Sequence, residues 1–226
     1  MSMTELEALY VRHSVRSYLD KAIEPEKIRK LQELIDLCNA EGRLHLQFLA
    51  DAGGTFNRLL NRMAGLGSAP SVIACIGQDD GTLEDRVGYY GERIVLLAQQ
   101  LGLNTCWAGT FNAKNVKAEI GPGERLCIVI AIGYGATQGK ERKSKTAEQV
   151  ASGKAERPAW FDEGVKLALL APTAINQQRF EFVLNDDETV SVTDRRGPFS
   201  KVDVGIVKYH FDLARKEAGL EPLWGN

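Results

Sequence analysis

The amino-acid sequence predicts an α+β fold, and three observations support this class. Residues 72–76 and 126–132 are continuous apolar runs, which are typical of strands buried on both faces. Residues 83–101 carry apolar side chains at helical spacing, which indicates a long amphipathic helix. Residues 180–184 and 190–193 alternate in polarity around an acidic turn, the pattern of a β-hairpin.

Composition limits the classes of partner. The chain has 226 residues, of which 44% are hydrophobic and 26% charged, as in ordinary globular proteins. Its formal net charge of −2 provides no general attraction for nucleic acid or an acidic membrane, so we expect neither as a partner. The sequence contains no secretory signal and no apolar run of the roughly 20 residues that span a bilayer, so we expect a cytoplasmic protein.

The cysteines exclude one class of site. Cys38, Cys75, Cys106 and Cys127 lie in apolar surroundings and form neither a CxxC pair nor a zinc-ligand spacing. We therefore predict buried free thiols in a reducing compartment and no metal site.

The first half of the chain begins with clear helix signals. Thr4 and Glu7 have the spacing of a capping box, which predicts a short helix ending at the Arg12 segment. Pro25 suits the first position of a helix that we expect over 26–39, and alternating polarity predicts a strand over 44–49. The remaining expected elements of this half are a helix over 56–63, a strand over 104–107 and a capped helix over 112–120.

The second half contains fewer strand signals. Residues 133–145 are the most polar stretch and predict a loop, after which Thr146 caps a short helix. We expect a linker over 152–157, a helix over 159–170 and a final amphipathic helix over 200–217. The tail through Trp224 either docks or frays.

Two separated stretches carry the binding chemistry. The first, Arg12-His13-Ser14-Val15-Arg16, concentrates cationic and hydroxyl donors in five residues, as a phosphate site requires. The second, Ala171-Pro172-Thr173-Ala174-Ile175-Asn176-Gln177-Gln178, is a loop of small and amide residues between a predicted helix and strand. Its backbone and side-chain donors can contact the edge of a planar ligand. We expect the two stretches to form one site.

Other nucleotide and catalytic motifs fail on detail. Gly133, Gly135 and Gly139 follow an apolar strand, but the third glycine comes one residue late for a dinucleotide fingerprint and a charged loop follows. Glu141 follows Lys140 where a P-loop requires Ser or Thr. The sequence has no HExxH and no GxSxG, and His45 and His210 suit structural positions. The lack of a catalytic side-chain set points to a cofactor that supplies its own chemistry.

With these motifs, the chain resembles the FMN-dependent nitroreductases. In that family a first helix ends in Arg-Arg/His-Ser-x-Arg, which binds the FMN phosphate and ribityl chain; Arg12, His13, Ser14 and Arg16 match it. The resemblance implies a nitroreductase-like fold, with a central, mostly antiparallel sheet flanked by helices, in a single domain over 1–226.

The resemblance also implies the other FMN contacts. Residues 101–109 resemble the segment that passes the isoalloxazine face, with backbone donors near Ala108 and Gly109. Lys140 or Arg142 is the expected extra phosphate ligand. The loop resembles the family's Ala-Pro-Ser-x-x-Asn-x-Gln, which implies flavin contacts from Pro172, Thr173, Ala174, Asn176 and Gln178.

The position of this loop departs from the family pattern. In typical members the loop follows soon after the first motif and reaches the flavin of the other subunit, whereas here it lies near the C-terminus. The sequence contains a weak internal repeat, which starts at Ala69 and again at Ala171. Each copy has the order small-residue loop, strand, acidic turn and helix. It suggests two unequal pseudo-repeats, about 1–150 and 158–226. The chain is therefore either a self-contained pseudo-dimer or a conventional homodimer.

The function implied is an FMN-dependent NAD(P)H oxidoreductase. Hydride would pass from NADH or NADPH through flavin N5 to a small organic acceptor in a ping-pong cycle, without an acidic or basic side chain. The alternatives are a non-catalytic FMN-binding redox sensor or flavin storage protein, and a phosphate-ligand enzyme without flavin.

Overall fold

The computed structural model describes residues 3–56 and 66–225 of the chain. They form two compact units: Met1–Leu83 with Arg93–Glu141, and Glu84–Glu92 with Arg142–Asn226. The helix predicted over 56–63 lies almost wholly outside the described residues. No helix in the described ranges is long and apolar enough to cross a membrane.

The first unit is built on an antiparallel sheet with the strand order β1-β2-β4-β3. Its elements are α1 (Glu5–Val11), α2 (Pro25–Gly42), β1 (Gln47–Leu49), β2 (Ser71–Gln78), β3 (Asn104–Ala108) and β4 (Glu124–Gly133). The central strands β2 and β4 are the two apolar runs of the sequence and are almost entirely buried. The predicted mixture of helices and a mostly antiparallel sheet is confirmed.

The first two helices of this unit begin at the residues that the sequence pattern predicts. The Thr4 hydroxyl accepts a hydrogen bond from Glu7 N, and the Glu7 carboxylate accepts one from Thr4 N, so the predicted capping box is present. Pro25 is the first residue of α2, where its missing N–H has no intrahelical partner to lose. Helix α3 (Leu83–Gln100) contributes its first turns to the second unit and its remainder to the first.

One prediction about the first unit is wrong and another is only partly correct. Residues 112–120 form only a 3-10 turn, Ala113–Asn115, and the side-chain amide of Gln47 binds both Glu119 N and Glu119 O, at 2.9 and 2.6 Å. The bond from Glu119 N uses a backbone donor that a helix over this range would need. The strand predicted over 44–49 is regular only at Gln47–Leu49, while Leu44 makes an isolated bridge to Gly77.

The second unit pairs a small sheet with two helices. Its elements are β5 (Ala151–Gly153), α4 (Ala159–Ala168), β6 (Phe180–Leu184), β7 (Val190–Asp194) and α5 (Ser200–Glu217), with the strand order β5-β6-β7. The β6–β7 hairpin and α5 agree with prediction. The linker predicted over 152–157 is wrong at its start, because β5 pairs in parallel with β6.

Close backbone approach and aromatic packing hold this unit together. Gly88 of α3 and Gly205 of α5 meet at a helix crossing, where a Cβ on Gly205 would lie 2.0 Å from Asp85 O. The rings of Phe182 and Phe211 stack with centroids 4.7 Å apart. The tail docks, because Leu223 N and Trp224 N donate to the buried Asp212 carboxylate.

Candidate functional site

The Arg12–Arg16 stretch lies along the outer edge of β3 in the first unit. The capped helix α1 ends at Val11, and the chain then runs extended, so that Ser14 forms a parallel bridge with Thr105 and Val15 N donates to Thr105 O at 3.0 Å. Val15 is buried in the apolar core of this unit. The buried Val15 thus anchors the stretch against β3 between the two polar ends of the motif.

The electrostatics of Cys106 show that the motif's polar side chains converge. Burial raises the pKa of the Cys106 thiol, while Arg16, Arg12 and a hydrogen bond with Ser14 act to lower it. Three residues predicted to bind phosphate are therefore near enough to Cys106 on β3 to act on its thiol. The guanidinium groups and the hydroxyl supply the donor types that bind phosphate oxygens.

The polar loop after β4 returns to the same stretch. Ala136 N donates to Ser17 O at 2.8 Å, and Gly135 N donates to the side chain of Asn104 at 3.0 Å. Gly139 has a φ of +82°, and a Cβ at this position would lie 2.5 Å from His13 Cβ. This close approach, which requires glycine, puts the backbone of Lys140 beside the phosphate motif.

Strand alternation separates the two predicted backbone donors near the flavin face. Backbone N–H and C=O groups alternate between the two edges of a strand from one residue to the next. Thr105 O points to the outer edge of β3, where it accepts from Val15 N. The backbone groups of Ala108, three residues further along, therefore point to the inner edge, toward Val129 on β4. The Ala108 N–H is therefore committed to the sheet. Gly109, just beyond the strand, remains the candidate donor.

Arg142 belongs to the second unit and is occupied there. Its guanidinium donates to Asn176 Oδ1, to Leu169 O at 3.1 Å and to Ala171 O at 2.5 Å. A cation on these carbonyl oxygens stabilises the C-terminal end of α4 and holds the loop that follows it. Of the two cations predicted to bind phosphate, Arg142 fastens the loop, and only Lys140 lies in the unit that contains the motif.

Gln178 is also used to build the loop. Its side chain is buried; its Oε1 accepts from Lys145 N at 2.8 Å, and its Nε2 donates to Ser144 Oγ and Leu169 O. These bonds use the amide's polar atoms internally, so its predicted flavin contact would require rearrangement. Asn176 stays exposed, although its Nδ2 donates to Lys143 O at 2.8 Å.

The loop is held in an unusual backbone conformation. Ile175, Asn176 and Gln178 have φ values of 47°, 56° and 44°, in the left-handed region that disfavours a β-branched residue such as Ile175. Asp203 of α5 holds the loop: its carboxylate accepts from Ala174 N at 2.9 Å and from Gln177 Nε2 at 2.8 Å. Burial raises the pKa of Asp203 to about 6.

No local sequence pattern identifies these two anchors. Asp203 is not part of any predicted site, and Arg142 was predicted to bind phosphate. Each binds residues about thirty positions away, which local patterns do not reveal. Pro172 is buried, while Thr173 Oγ1 accepts from Gln178 N at 3.1 Å.

A cavity of about 850 Å³ also lies in the first unit. The described residues that line it are Asp20, residues 50–56 and residues 67–70. Thr55, which is 1% exposed, lines it, and its hydroxyl has no hydrogen-bond partner among the described residues. None of the residues predicted to bind FMN belongs to this wall.

Comparison with known proteins decides the family. A family model described as "Putative TM nitroreductase" matches residues 5–215. The chain belongs to this nitroreductase family. No curated protein matches the sequence.

Solved structures agree with the nitroreductase fold. A "putative nitroreductase" from Thermotoga maritima aligns with a TM-score of 0.69 at 23% identity, covering 99% of this chain and 89% of its own. A nitroreductase family protein from Streptococcus pneumoniae (TM-score 0.53, 15% identity) covers 65% of this chain and 98% of its own. A "putative NADH oxidase" from Clostridium acetobutylicum (TM-score 0.51, 23% identity) covers 67% and 99%. About a third of this chain thus has no counterpart in the two shorter proteins.

Proposed function

We propose that this protein is an FMN-dependent oxidoreductase that passes hydride from NADH or NADPH to a small organic acceptor. Family membership makes it a nitroreductase-type oxidoreductase. The observation that carries the FMN assignment is the placement of the Arg12–Arg16 stretch: Ser14 is bridged to Thr105 on β3, and the loop after β4 approaches His13 at Gly139.

The residues present fit the phosphate end of FMN. Arg12 and Arg16 supply charge, Ser14 supplies a hydroxyl, and Gly139 lets the following loop approach His13 more closely than a side chain would allow. Lys140 is our choice for the additional phosphate ligand. Because Arg142 is occupied by carbonyl oxygens and Asn176, we assign it a positioning role.

The ring end of FMN needs residues that contact the flavin. Bound FMN supplies the redox chemistry, so the chain needs to bind, orient and polarise rather than provide an acid or base. Gly109 N–H is the candidate backbone donor from the first unit. From the second, we propose the exposed Asn176 and the main chain of Pro172, Thr173 and Ala174, with Gln178 supporting the loop from behind.

The phosphate motif and the amide loop belong to different units, and we propose that both contribute to FMN binding, either in one pseudo-dimeric chain or between two chains. Sedimentation with flavin quantification separates these cases. A monomer with one tightly bound FMN supports the pseudo-dimer, whereas FMN retained only by dimers supports the conventional arrangement.

Purified protein tests the proposed activity. We expect flavin absorbance bands, release of FMN on denaturation, and loss of the oxidised-flavin absorbance when NADH or NADPH is added without oxygen. Re-oxidation by a nitro compound or a quinone would complete the cycle. A flavin that neither nucleotide reduces would instead support the storage or sensor alternative, and a colourless protein that does not bind added FMN would contradict the proposal.

A further inference from the structure

Three cations converge beside the amide loop in the second unit. Lys145 Nζ donates to Gln178 O at 2.6 Å, and Arg179 is the next residue along the chain. Arg195 lies opposite on the neighbouring strand end, where its backbone N donates to Arg179 O at 3.0 Å. The strand pairing of β6 with β7 therefore brings together charges that are distant in sequence.

The local charge is only partly neutralised. Arg195 pairs with Glu181 at 2.7 Å, and its Nη1 donates to Gln149 O at 3.3 Å, so its charge is offset and its donors are used, as those of Arg142 are. Lys145 and Arg179, in contrast, have carbonyl oxygens as their described partners: Gln178 O for Lys145, and Arg196 O at 2.7 Å for Arg179. A carbonyl oxygen orients a cation but does not cancel its charge.

The pKa of Lys145 reflects this crowding. Burial and the positive charges of Arg195 and Arg179 lower the pKa of the Lys145 ammonium. Like charges close together are unfavourable unless an anion lies between them. The chain as a whole carries a formal charge of −2, so this cluster is a local excess of positive charge.

We propose that Lys145 and Arg179, with the positive charge of Arg195 beside them, bind a phosphomonoester, and that it is the 2′-phosphate of NADPH. Guanidinium groups bind the oxygens of such a dianion in pairs, and an ammonium adds a point charge. The assignment rests on the proposed function, in which a pyridine nucleotide supplies hydride. NADPH carries this phosphomonoester and NADH does not, so the site would select NADPH.

The phosphate of FMN is the other source of the same chemistry. The Arg12 motif already offers it a site in the first unit, which is why we assign the second cluster to the nucleotide. A variant without Arg179 distinguishes the phosphate of NADPH from the phosphate of FMN. Loss of Arg179 should leave FMN affinity unchanged if the cluster binds NADPH.

The test measures binding to the FMN-loaded full chain by calorimetry, with 2′,5′-ADP and 5′-AMP as probes. The first carries the 2′-phosphate and the second lacks it. We expect 2′,5′-ADP to bind about tenfold or more tightly, in line with charge-assisted hydrogen bonds. Arg179→Gln should weaken 2′,5′-ADP about tenfold and leave 5′-AMP unchanged.

Lys166→Gln is the matched control, because it removes one exposed positive charge from α4 in the same unit. It should change neither probe. Equal affinities for the two probes, equal losses of both in Arg179→Gln, or a tenfold loss of FMN would each overturn the inference.

Anaerobic reduction separates this inference from the proposed function. We expect NADPH to reduce the bound flavin faster than NADH at low concentrations, and Arg179→Gln to abolish that preference. Equal reduction by the two nucleotides would overturn the NADPH assignment and leave the proposed function intact. No reduction by either would contradict the proposed function itself.

Discussion

The stability of this protein should depend on pH through Asp203, the residue that holds the amide loop. Its side chain is 4% exposed, and its carboxylate accepts hydrogen bonds from Ala174 N and Gln177 Nε2. Burial raises its pKa from 3.8 to about 6; the hydrogen bonds from Gln177 and Ala174 oppose that rise, and Asp194 adds to it.

The size and sign of the effect follow from linkage. A rise of about two pKa units corresponds to about 3 kcal/mol between the protonated and ionised forms. Because the folded-state pKa is the higher one, the folded protein binds more protons, so the cost is absent well below pH 4. This cost to the free energy of unfolding grows as the pH rises to about 6 and is constant at higher pH. Between pH 5 and pH 8 the stability of the folded protein therefore falls by about 1.4 kcal/mol.

Asp203→Asn removes this titration. Urea unfolding measures the free energy of unfolding of variant and parent at pH 5 and at pH 8. From pH 5 to pH 8, the value for the variant should rise relative to that of the parent by about 1.4 kcal/mol. The lost carboxylate acceptor adds an offset that does not change with pH. Asp186→Asn, in the exposed hairpin turn, is the control and should show no such change. A pH-independent difference for Asp203→Asn would refute the reasoning.

Three further substitutions test particular backbone positions. Gly205→Ala should destabilise the protein by about 3 kcal/mol or more, measured by urea unfolding, because its Cβ would lie 2.0 Å from Asp85 O; normal stability would contradict the helix crossing. Ile175→Gly should raise stability by about 1 kcal/mol, seen as a higher Tm, because Ile175 is 88% exposed and has a φ of 47°. Gly139→Ala should weaken FMN about tenfold or more by fluorescence titration, since the new Cβ would lie 2.5 Å from His13 Cβ; unchanged affinity would remove this loop from the phosphate site.

Most of the fold follows from patterns within single segments. Helix α5 agrees with its predicted bounds, and the apolar runs became the central strands β2 and β4, because hydrophobic periodicity records burial directly. The errors occurred where distant groups decided the local structure. Gln47 binds the backbone of Glu119 in the segment predicted to be a helix, and the three residues of β5 form a strand by pairing with β6.

The candidate site was predictable to the extent that it is contiguous. Five neighbouring residues carry the phosphate motif, so the sequence alone indicated Arg12, Ser14 and Arg16. The contacts of Arg142 and Asp203 arise from folding, across 34 and 29 residues. Residue type alone cannot distinguish an arginine that binds phosphate from one that holds a loop, because the same donors serve both purposes.

The central claim is that the Arg12 motif binds the phosphate of FMN. The most direct measurement compares the affinities of the flavin-free protein for FMN and riboflavin, which differ only in that phosphate, by fluorescence titration. We expect FMN to bind about a hundredfold more tightly, and Arg16→Gln to remove about tenfold of that difference without weakening riboflavin. Equal affinities for FMN and riboflavin in the parent protein would contradict the account.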